Sequence, residues 1–564
     1  MSYRDFFVKK NISQIVSENS HNKLAKVLTE KDLTSLGIAA IIGAGIFSTI
    51  GEACAVGGAA TSLLFVFTAF ACLLSALCYA EFASCVPVAG SAYTYAYVSF
   101  GELVAWIIGW DLMMEYAIGN IAVAISWSDY FTSLLQNLGM PLPEYLCIDY
   151  LSAERIYHKI QMLGRGVMNY NFTQADYEAW RAWMNAPQIS GFRIILDVPA
   201  LAINIFITWL VLIGIKESKS TGNVLVMVKV AAILLVIAVG ISYINPQNWN
   251  PFAPNGISGV LKGVSGVFFA YIGFDAISTT TEESINPSRD VPKAMVNALI
   301  ICTLLYVAIS LVITGMAHYS ELSVGDPLAY IFEKYDLKWL AVIISLSAVA
   351  AMTSVLLVFQ LGQPRILMSM SRDGLLPKIF SYVHPKYKTP WYSTWVTGII
   401  VALPIFFLNH ETVTDLSVTG TLFAFAIVCA GILFKRSVLD TSKDTFKVPV
   451  YSSKYIFPST VLVLLILYST LYKEDFFGFF LTINAKTILT KLPIILFLLY
   501  LAVMSVVCYR KDLSLIPVLG LTINVFLLSQ LKVENWMRFL IWLVIGLIIY
   551  FCYGYHNSVM RRNK

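Results

Sequence analysis

The stretch SLGIAAIIGAGIFSTIGEACAVGG, residues 35–58, decides the fold. Its apolar residues are typical of a membrane-spanning helix, yet Gly43 and Gly45 lie where such a helix should be most continuous. Glycines in membrane helices mark either close helix packing or a point where the helix unwinds. An unwound segment exposes amide and carbonyl groups that lipid cannot satisfy, so it must line a cavity. Both interpretations stay open for this stretch on its own.

The composition of the chain is that of an integral membrane protein. Of its 564 residues, 58% are hydrophobic and 13% are charged, and the mean hydropathy is +0.72, which is far from the values of soluble domains. The weak alternating segments of a membrane β-barrel are not the pattern here. The apolar runs predict an all-α fold of about fourteen membrane spans. They start near Leu36, Ser62, Gly101, Leu196, Asn223, Val260, Val296, Leu337, Trp391, Thr412, Ile456, Leu492, Leu513 and Trp536.

The basic residues predict the orientation and the domain boundaries. An even number of spans puts both termini on one side, and a cytoplasmic N-terminus assigns most of the 39 lysines and arginines to cytoplasmic segments, as the positive-inside rule requires. We therefore expect a multi-pass protein of the plasma (inner) membrane, and its net charge of +5 requires no nucleic acid. The expected parts are a cytoplasmic tail (1–34), a ten-helix core (35–434) with a long external loop (136–193), a cytoplasmic loop (435–455), four additional helices (456–556) and a cytoplasmic tail (557–564).

The long external loop contains apolar residues at three- and four-residue spacing. This spacing predicts short amphipathic helices that cap the outer face. A lid, a partner surface and a passive covering all fit such helices.

A weak internal repeat favours the interpretation of residues 43–46 as a helix break. Span six is interrupted at YIGFD, residues 271–275, five spans after the first break, so the two halves have opposite orientations in the membrane. Paired glycine-interrupted helices in inverted halves point to the binding site of a transporter. Free amides after the first break favour a carboxylate. The predicted carboxylate site consists of Ile42, Gly43, Ala44, Gly45 and Ile46.

The second break predicts the complementary half of the site. Its unpaired carbonyl groups can accept hydrogen bonds from an ammonium group, and a carboxylate site facing an ammonium site suits an amino acid. The residues predicted to contact the amino group and the side chain of the substrate are Phe269, Ala270, Tyr271, Ile272, Phe274 and, from span three, Glu115.

Four segments of the chain carry a family resemblance. They are IIGAGIFSTIGEA (41–53), LCYAEFASCVPVAGSAYTYAYVSFGELVAWIIGW (77–110), FFAYIGFDAISTTTEESINPSRDVPKA (268–294) and QPRILMSMSRDGLLP (363–377). The sequence resembles the amino acid, polyamine and organocation superfamily, and within it the cationic amino acid transporters and their bacterial proton-coupled relatives. This resemblance implies an inverted-repeat fold of five plus five helices with helices 1 and 6 broken. The four helices that follow are additions, as in the cationic branch.

Lys229 lies inside the fifth span, about seven residues from its cytoplasmic end. One interpretation is a lysine that extends its amine to the membrane surface. The resemblance implies another, in which the ammonium takes the place of the ion that sodium-coupled members hold between helices 1 and 8. Thr353 and Ser354 match the hydroxyl ligands of that ion site. Since burial favours the neutral amine, such a lysine can lose and regain a proton in each cycle. The proton-coupled relatives have a lysine here, which favours proton coupling.

Several acidic residues remain open between functional and structural roles. Glu115 lies near mid-membrane, where an acid must face a cavity or a partner, so it pairs either with a cationic substrate side chain or with another protein group. Asp111, one turn away, is expected to be structural. Glu282 and Glu283 end span six either as a solvated helix end or as part of a gate. The turn 371–374 is either a plain loop or a latch.

No catalytic or metal site is expected. The chain has no GxxxxGK[ST] phosphate loop, no CxxC pair and no GxSxG elbow, and His410-Glu411 lacks the second histidine of a zinc protease motif. We therefore expect a non-enzymatic permease without cofactors that moves L-amino acids, driven by the proton gradient and favouring cationic ones. A neutral amino acid transporter, an exchanger and a sensor with little flux are the alternatives. The sequence leaves open the particular amino acid and any association with a small membrane subunit or a second copy.

Overall fold

The computed structural model describes residues 8–10, 26–86, 91–164, 174–189, 191–214, 219–281, 284–439, 445–473, 478–479 and 487–562. This part of the chain is almost entirely helical, with one two-stranded hairpin of β1 (Gln188–Ile189) and β2 (Phe192–Arg193). The helices are α1 Glu30–Ile41, α2 Ile50–Gly57, α3 Thr61–Cys85, α4 Ser91–Ser99, α5 Glu102–Asn137, α6 Tyr150–Gly164, α7 Gln174–Asn185, α8 Val198–Leu212, α9 Lys219–Gly240, α10 Gly256–Lys262, α11 Val264–Phe269, α12 Ala276–Thr279, α13 Pro287–Met316, α14 Pro327–Lys334, α15 Lys338–Arg372, α16 Trp391–Ile405, α17 His410–Leu439, α18 Ile456–Leu471, α19 Ile488–Lys511, α20 Leu515–Ser529, α21 Val533–Ile549, α22 Tyr555–Asn557 and α23 Val559–Arg562.

The predicted all-α membrane fold is confirmed. Each predicted span coincides with a helix or, for the first and the sixth, with a series of shorter helices. Among the described residues, eight helical stretches are long and apolar enough to cross a membrane, and four apolar helices of 15 or 16 residues accompany them. A π-helical turn, Gly45–Thr49, separates α1 from α2. Non-helical turns separate α11 from α12.

Two groups of helices enclose the interruptions. In one group, α3 and α1 pack against α13; in the other, α5 packs against α15, and α8 packs against both α5 and α16. Helix α9 contacts α1 as well as α15 and so joins the groups. The additional helices α18 and α19 lie at the periphery with exposed apolar side chains such as Leu464 and Leu499, which suits contact with lipid.

The two ends of the molecule have different structures. Residues 8–10 and 550–562 meet at one end, which we name the terminal face: Lys10 Nζ lies 2.5 Å from Asp373 Oδ1, and Val559 N donates to Asp373 O at 3.1 Å. The opposite end, the loop face, carries the predicted external loop. Helices α6 and α7 form there and pack on each other, with Tyr157 stacked on Trp183 at 5.3 Å. The predicted amphipathic helices are therefore confirmed.

Candidate functional site

The two helix breaks cross in direct contact. A Cβ atom on Gly45 would stand 2.2 Å from the Cα atom of Ala270, and one on Gly273 would stand 2.8 Å from the carbonyl oxygen of Ala40. Gly273 also has φ of +115°, a conformation that L side chains rarely adopt. Glycine is therefore required twice, once in each break, because each backbone lies against the other. Close packing and helix interruption occur together at this point.

The first break exposes backbone amides. Helix α1 ends at Ile41, and Ile42 is extended with φ −77° and ψ 99°. The chain then resumes helical hydrogen bonding with the amides of Ile46 and Phe47, both of which donate to Gly43 O at 3.2 Å. Because the first amides of a helix have no acceptor within it, those around Ala44 face the break. Gly43 lies against Val355 of α15.

The residues predicted around the second break use their side chains in contacts with other helices. The carbonyl of Phe269 accepts the amide of Ile272 at 3.2 Å, so a turn uses it. The hydroxyl of Tyr271 donates to Phe65 O at 3.1 Å, and the ring of Phe274 packs on Phe425 at 4.9 Å. Both rings are thus committed to packing against other helices. What these residues present at the break is their backbone.

Lys229 connects α9 to the first break. Its side chain is 1% exposed, and its Nζ donates to the carbonyl oxygen of Ala39 at 2.8 Å. Tyr306 of α13 donates to the neighbouring Ile41 O at 3.1 Å. The amine lies in the interior, on the last turn of α1, where the partial negative charge of a helix C-terminus attracts a cation. The structure therefore brings Lys229 to the break and excludes the surface-directed interpretation.

The hydroxyl groups of α15 have partners of their own. Thr353 Oγ1 accepts from Trp127 Nε1 at 2.9 Å and donates to Val349 O at 2.7 Å. Ser354 Oγ donates to Ala351 O at 3.0 Å. Thr353 is thereby joined to α5, a contact that the sequence did not predict.

Glu115 lies beside the second break. It is 5% exposed and lies near Thr421 of α17 and Asp275 of the second break. The Asp275 carboxylate itself lies against the amides of Gly273 and Ala276 at the start of α12. The sequence analysis assigned no role to Asp275. Its place two residues after Gly273 could have indicated that it lies at the second break.

A tyrosine that the sequence analysis missed fastens the segment after the first break. Tyr130 of α5 donates its hydroxyl to Phe47 O at 2.5 Å, and the two rings meet edge to face at 6.0 Å. Nearby, Ser48 Oγ donates to Gly325 O at 2.9 Å. In this structure the π-helical turn Gly45–Thr49 after the first break is therefore held against its neighbours on the side of the loop face.

An acidic cavity of about 660 Å³ lies at the loop face, next to Ser48. Ten of its lining residues are Asp or Glu and three are Lys or Arg, so its potential attracts cations. Burial raises the pKa of Asp197 and of Asp326 to about 7. Asp197 caps α8, accepting from Ser128 Oγ at 2.6 Å and from Ala200 N at 3.0 Å.

The sequence also left open the roles of the acids at the end of span six and of the turn 371–374. Glu282 and Glu283 lie outside the described residues. In the turn 371–374, Asp373 accepts from Lys10 and from the hydroxyl of Tyr93 at 2.6 Å, so the turn joins α4 and the N-terminal segment.

Comparisons with known proteins agree with this architecture. The model of the family "Amino acid permease" matches residues 28–505, and a model described as "C-terminus of AA_permease" matches residues 513–558. The chain belongs to the amino acid permease family. This membership confirms the resemblance found in the sequence and the expectation of a protein that is not an enzyme.

The relatives carry names of transporters with different substrates. The methylthioribose transporter of Bacillus subtilis (strain 168) is 34% identical, and the branched-chain amino acid permease BcaP of the same strain is 35% identical; each match covers 99% of both chains. The human cationic amino acid transporter 4 is 30% identical over 95% of this chain and 88% of its own length.

Proposed function

We propose that this permease is a proton-coupled symporter of L-amino acids in the plasma membrane that favours cationic substrates, with its terminal face in the cytoplasm. The observation that carries the proposal is the contact between the two breaks, with the Lys229 amine on the end of α1 beside them. Amides after one break and carbonyl groups at the other offer complementary partners to the two ends of a zwitterion.

In the proposed binding mode, the substrate carboxylate accepts hydrogen bonds from the amides of residues 43–46. The substrate ammonium donates to the carbonyl groups of Ala270, Tyr271 and Ile272. The side chain then extends toward Glu115. Since Tyr271 and Phe274 are held by other helices, their backbone is rigidly positioned for this contact.

Two observations support cationic substrates. Glu115 and Asp275 place two carboxyl groups, which can pair with a cation, beside the second break, and the cavity at the loop face is strongly acidic. A cleft lined by one sign of charge raises the local concentration of ligands of opposite charge. A neutral substrate is the second candidate, because the relative named a branched-chain amino acid permease is 35% identical, against 30% for the human cationic amino acid transporter 4.

The position of Lys229 supports proton coupling. The charged ammonium is attracted to the carboxyl end of α1, and loss of its proton removes this attraction. Helix α1 then moves more easily relative to α9. In the transport cycle, the group of α1, α3 and α13 rocks against the group of α5, α8, α15 and α16, and the breaks act as hinges.

Uptake into liposomes tests the coupling. An inward proton gradient should accelerate uptake of arginine or alanine, and Lys229→Ala should abolish the acceleration, because no titrating amine then contacts α1. Lys262→Ala is the matched control, since Lys262 is exposed. Gradient-driven uptake that persists in Lys229→Ala contradicts the role of Lys229. Binding without any uptake by the unchanged protein favours a sensor.

Competition experiments test the substrate class. Uptake of labelled arginine and labelled alanine is measured in the presence of each of the twenty amino acids. Preferential inhibition by arginine, lysine and ornithine supports the cationic assignment. Inhibition mainly by leucine, isoleucine and valine would replace it with the neutral one.

A further inference from the structure

The additional helices α18 and α19 pack on each other, and their ends at the terminal face carry basic and aromatic side chains together. Tyr455 directly precedes α18, and Tyr509 lies in the last turn of α19. Lys454 Nζ lies 5.5 Å from the ring centre of Tyr455 and 5.8 Å from that of Tyr509. The lysine therefore bridges the two helix ends through cation–π contacts.

This place has an excess of positive charge. Arg510 and Lys511 are exposed at the end of α19, and no ion pair between described residues includes either of them or Lys454. The adjacent acid, Asp512, accepts a hydrogen bond from the hydroxyl of Ser452. Three bases and one acid leave a net positive charge that attracts anions. We name Lys454, Arg510 and Lys511 the basic patch.

The segment that carries Lys454 is fixed from two sides. Ser453 N donates to Leu513 O, just before α20, at 3.0 Å. Val448 N donates to the carboxylate of Glu81 in α3 at 2.7 Å. Because its backbone is already held, this segment loses little further freedom when Lys454 binds an anion.

Apolar surface continues from the basic patch toward the middle of the membrane. The side chains of Tyr455 and Tyr509 are 67% and 55% exposed, which suits rings at the level of the lipid headgroups. Deeper in the two helices, Leu462 of α18 and Val506 of α19 are exposed as well. A free inorganic anion would use only the charges. A molecule with an anionic head and hydrocarbon chains would use the charges and the apolar faces.

We propose that the basic patch binds the phosphate of an anionic phospholipid whose acyl chains lie along the exposed faces of α18 and α19. The phosphate oxygens accept charge-assisted hydrogen bonds from Lys454 and Arg510. In a zwitterionic lipid the headgroup cation cancels the phosphate charge, so the patch selects lipids with a net negative charge. The site uses none of the residues assigned to substrate binding and is independent of the transported amino acid.

Lipid titration followed by native mass spectrometry tests the site. The purified full-length protein in a non-ionic detergent receives phosphatidylglycerol or phosphatidylcholine with the same acyl chains, and the Kd of the first bound lipid is measured. Phosphatidylglycerol should bind more tightly. Since each base near an anionic lipid surface is worth about five-fold in affinity, Lys454→Gln should weaken phosphatidylglycerol binding about five-fold, and Lys454→Gln with Arg510→Gln about 25-fold. Phosphatidylcholine binding should not change.

Two further variants make the result specific. Lys454→Arg keeps the charge and should keep tight binding, which separates loss of charge from damage to the local fold. Lys378→Gln is the matched control, because Lys378 is an exposed base after α15, outside the basic patch; it should bind phosphatidylglycerol as the unchanged protein does.

Three results would overturn the proposal. One is equal affinity of the unchanged protein for the two lipids. Another is phosphatidylglycerol binding that is as tight in the double variant as in the unchanged protein. The third is displacement of phosphatidylglycerol by inorganic phosphate at the same concentration, which would show that the patch takes a free anion and not a lipid.

Discussion

Helix α5 contains buried acids in two very different environments. Glu102, at the terminal face, is completely buried and is surrounded by donors. They are Tyr97 Oη at 3.1 Å, Tyr550 Oη at 2.9 Å, Ser558 Oγ and Arg561 Nη2 at 2.7 Å. Asp111 and Glu115, about two and a half and three and a half turns along the same helix, retain oxygens without partners among the described residues.

This difference separates an acid that the protein satisfies with its own donors from acids whose oxygens have no hydrogen-bond partner among the described residues. A buried charge that the protein satisfies with its own donors holds elements together, as Glu102 holds the C-terminal segment to α5. A buried charge that the protein leaves partly unsatisfied costs stability, so its presence needs a functional reason. Substitutions at the two places should therefore affect different properties of the protein.

Removal of Arg561 should give the largest effect on stability. Arg561→Ala leaves Glu102 buried with one donor fewer and no counter-charge, which typically costs about 3–5 kcal/mol. Thermal unfolding in detergent should show the loss, and the ratio of arginine to alanine uptake should not change. Arg562→Ala is the matched control, because Arg562 contacts Asn557 but not Glu102. A selective loss of arginine uptake in Arg561→Ala would contradict the assignment of a purely structural role to Glu102.

Neutralisation of Glu115 should give the opposite pattern. Glu115→Gln keeps the shape of the side chain but loses a charge, and a charge-assisted hydrogen bond is worth enough to lower the ratio of arginine to alanine uptake about ten-fold. The unfolding temperature should stay the same or rise, since a buried charge has been removed. Uptake in liposomes and thermal unfolding measure the two quantities. A fall in stability as large as that of Arg561→Ala would indicate that Glu115 is structural.

The smallest effect is expected from an acid at the loop face. The pKa of Asp197 is raised to about 7 by burial, above its ordinary value of about 4. Between these values the folded protein binds more protons than the unfolded chain, so this group makes stability fall as the pH rises from about 4 to 7. Asp197→Asn keeps the cap on α8 and should flatten the dependence of the unfolding temperature on pH in this window. Glu534→Gln should leave the slope unchanged.

Much of this architecture could be predicted from local sequence. Apolar runs gave the positions of the helices, and Gly43, Gly45 and Gly273 marked the breaks because a contact between two backbones requires glycine. The depth of Lys229 in its span indicated a buried amine. The family resemblance implied only that this amine lies between helices 1 and 8, and the contact with Ala39 was not predicted, because hydropathy does not show which helices meet.

The rest of the site depends on contacts between distant parts of the chain. Nothing near Tyr130 indicates that its hydroxyl meets Phe47, and nothing near Thr353 indicates Trp127. The sequence predicts a structural role for Asp111, because it lies one turn nearer the cytoplasm than Glu115. In the structure it packs directly against Gly420 of α17, and both of its carboxylate oxygens lack a hydrogen-bond partner among the described residues.

The pairing of Glu102 also has a consequence for biosynthesis. Ser558, one of its donors, follows it by 456 residues, and at about 5–20 residues per second the ribosome needs roughly 20 to 90 seconds to make this stretch. During this interval α5 already exists while the donors of the C-terminal segment do not. A chain that stops short of residue 558 lacks both Ser558 and Arg561, so this end of α5 stays incomplete until residues 558–561 have been made.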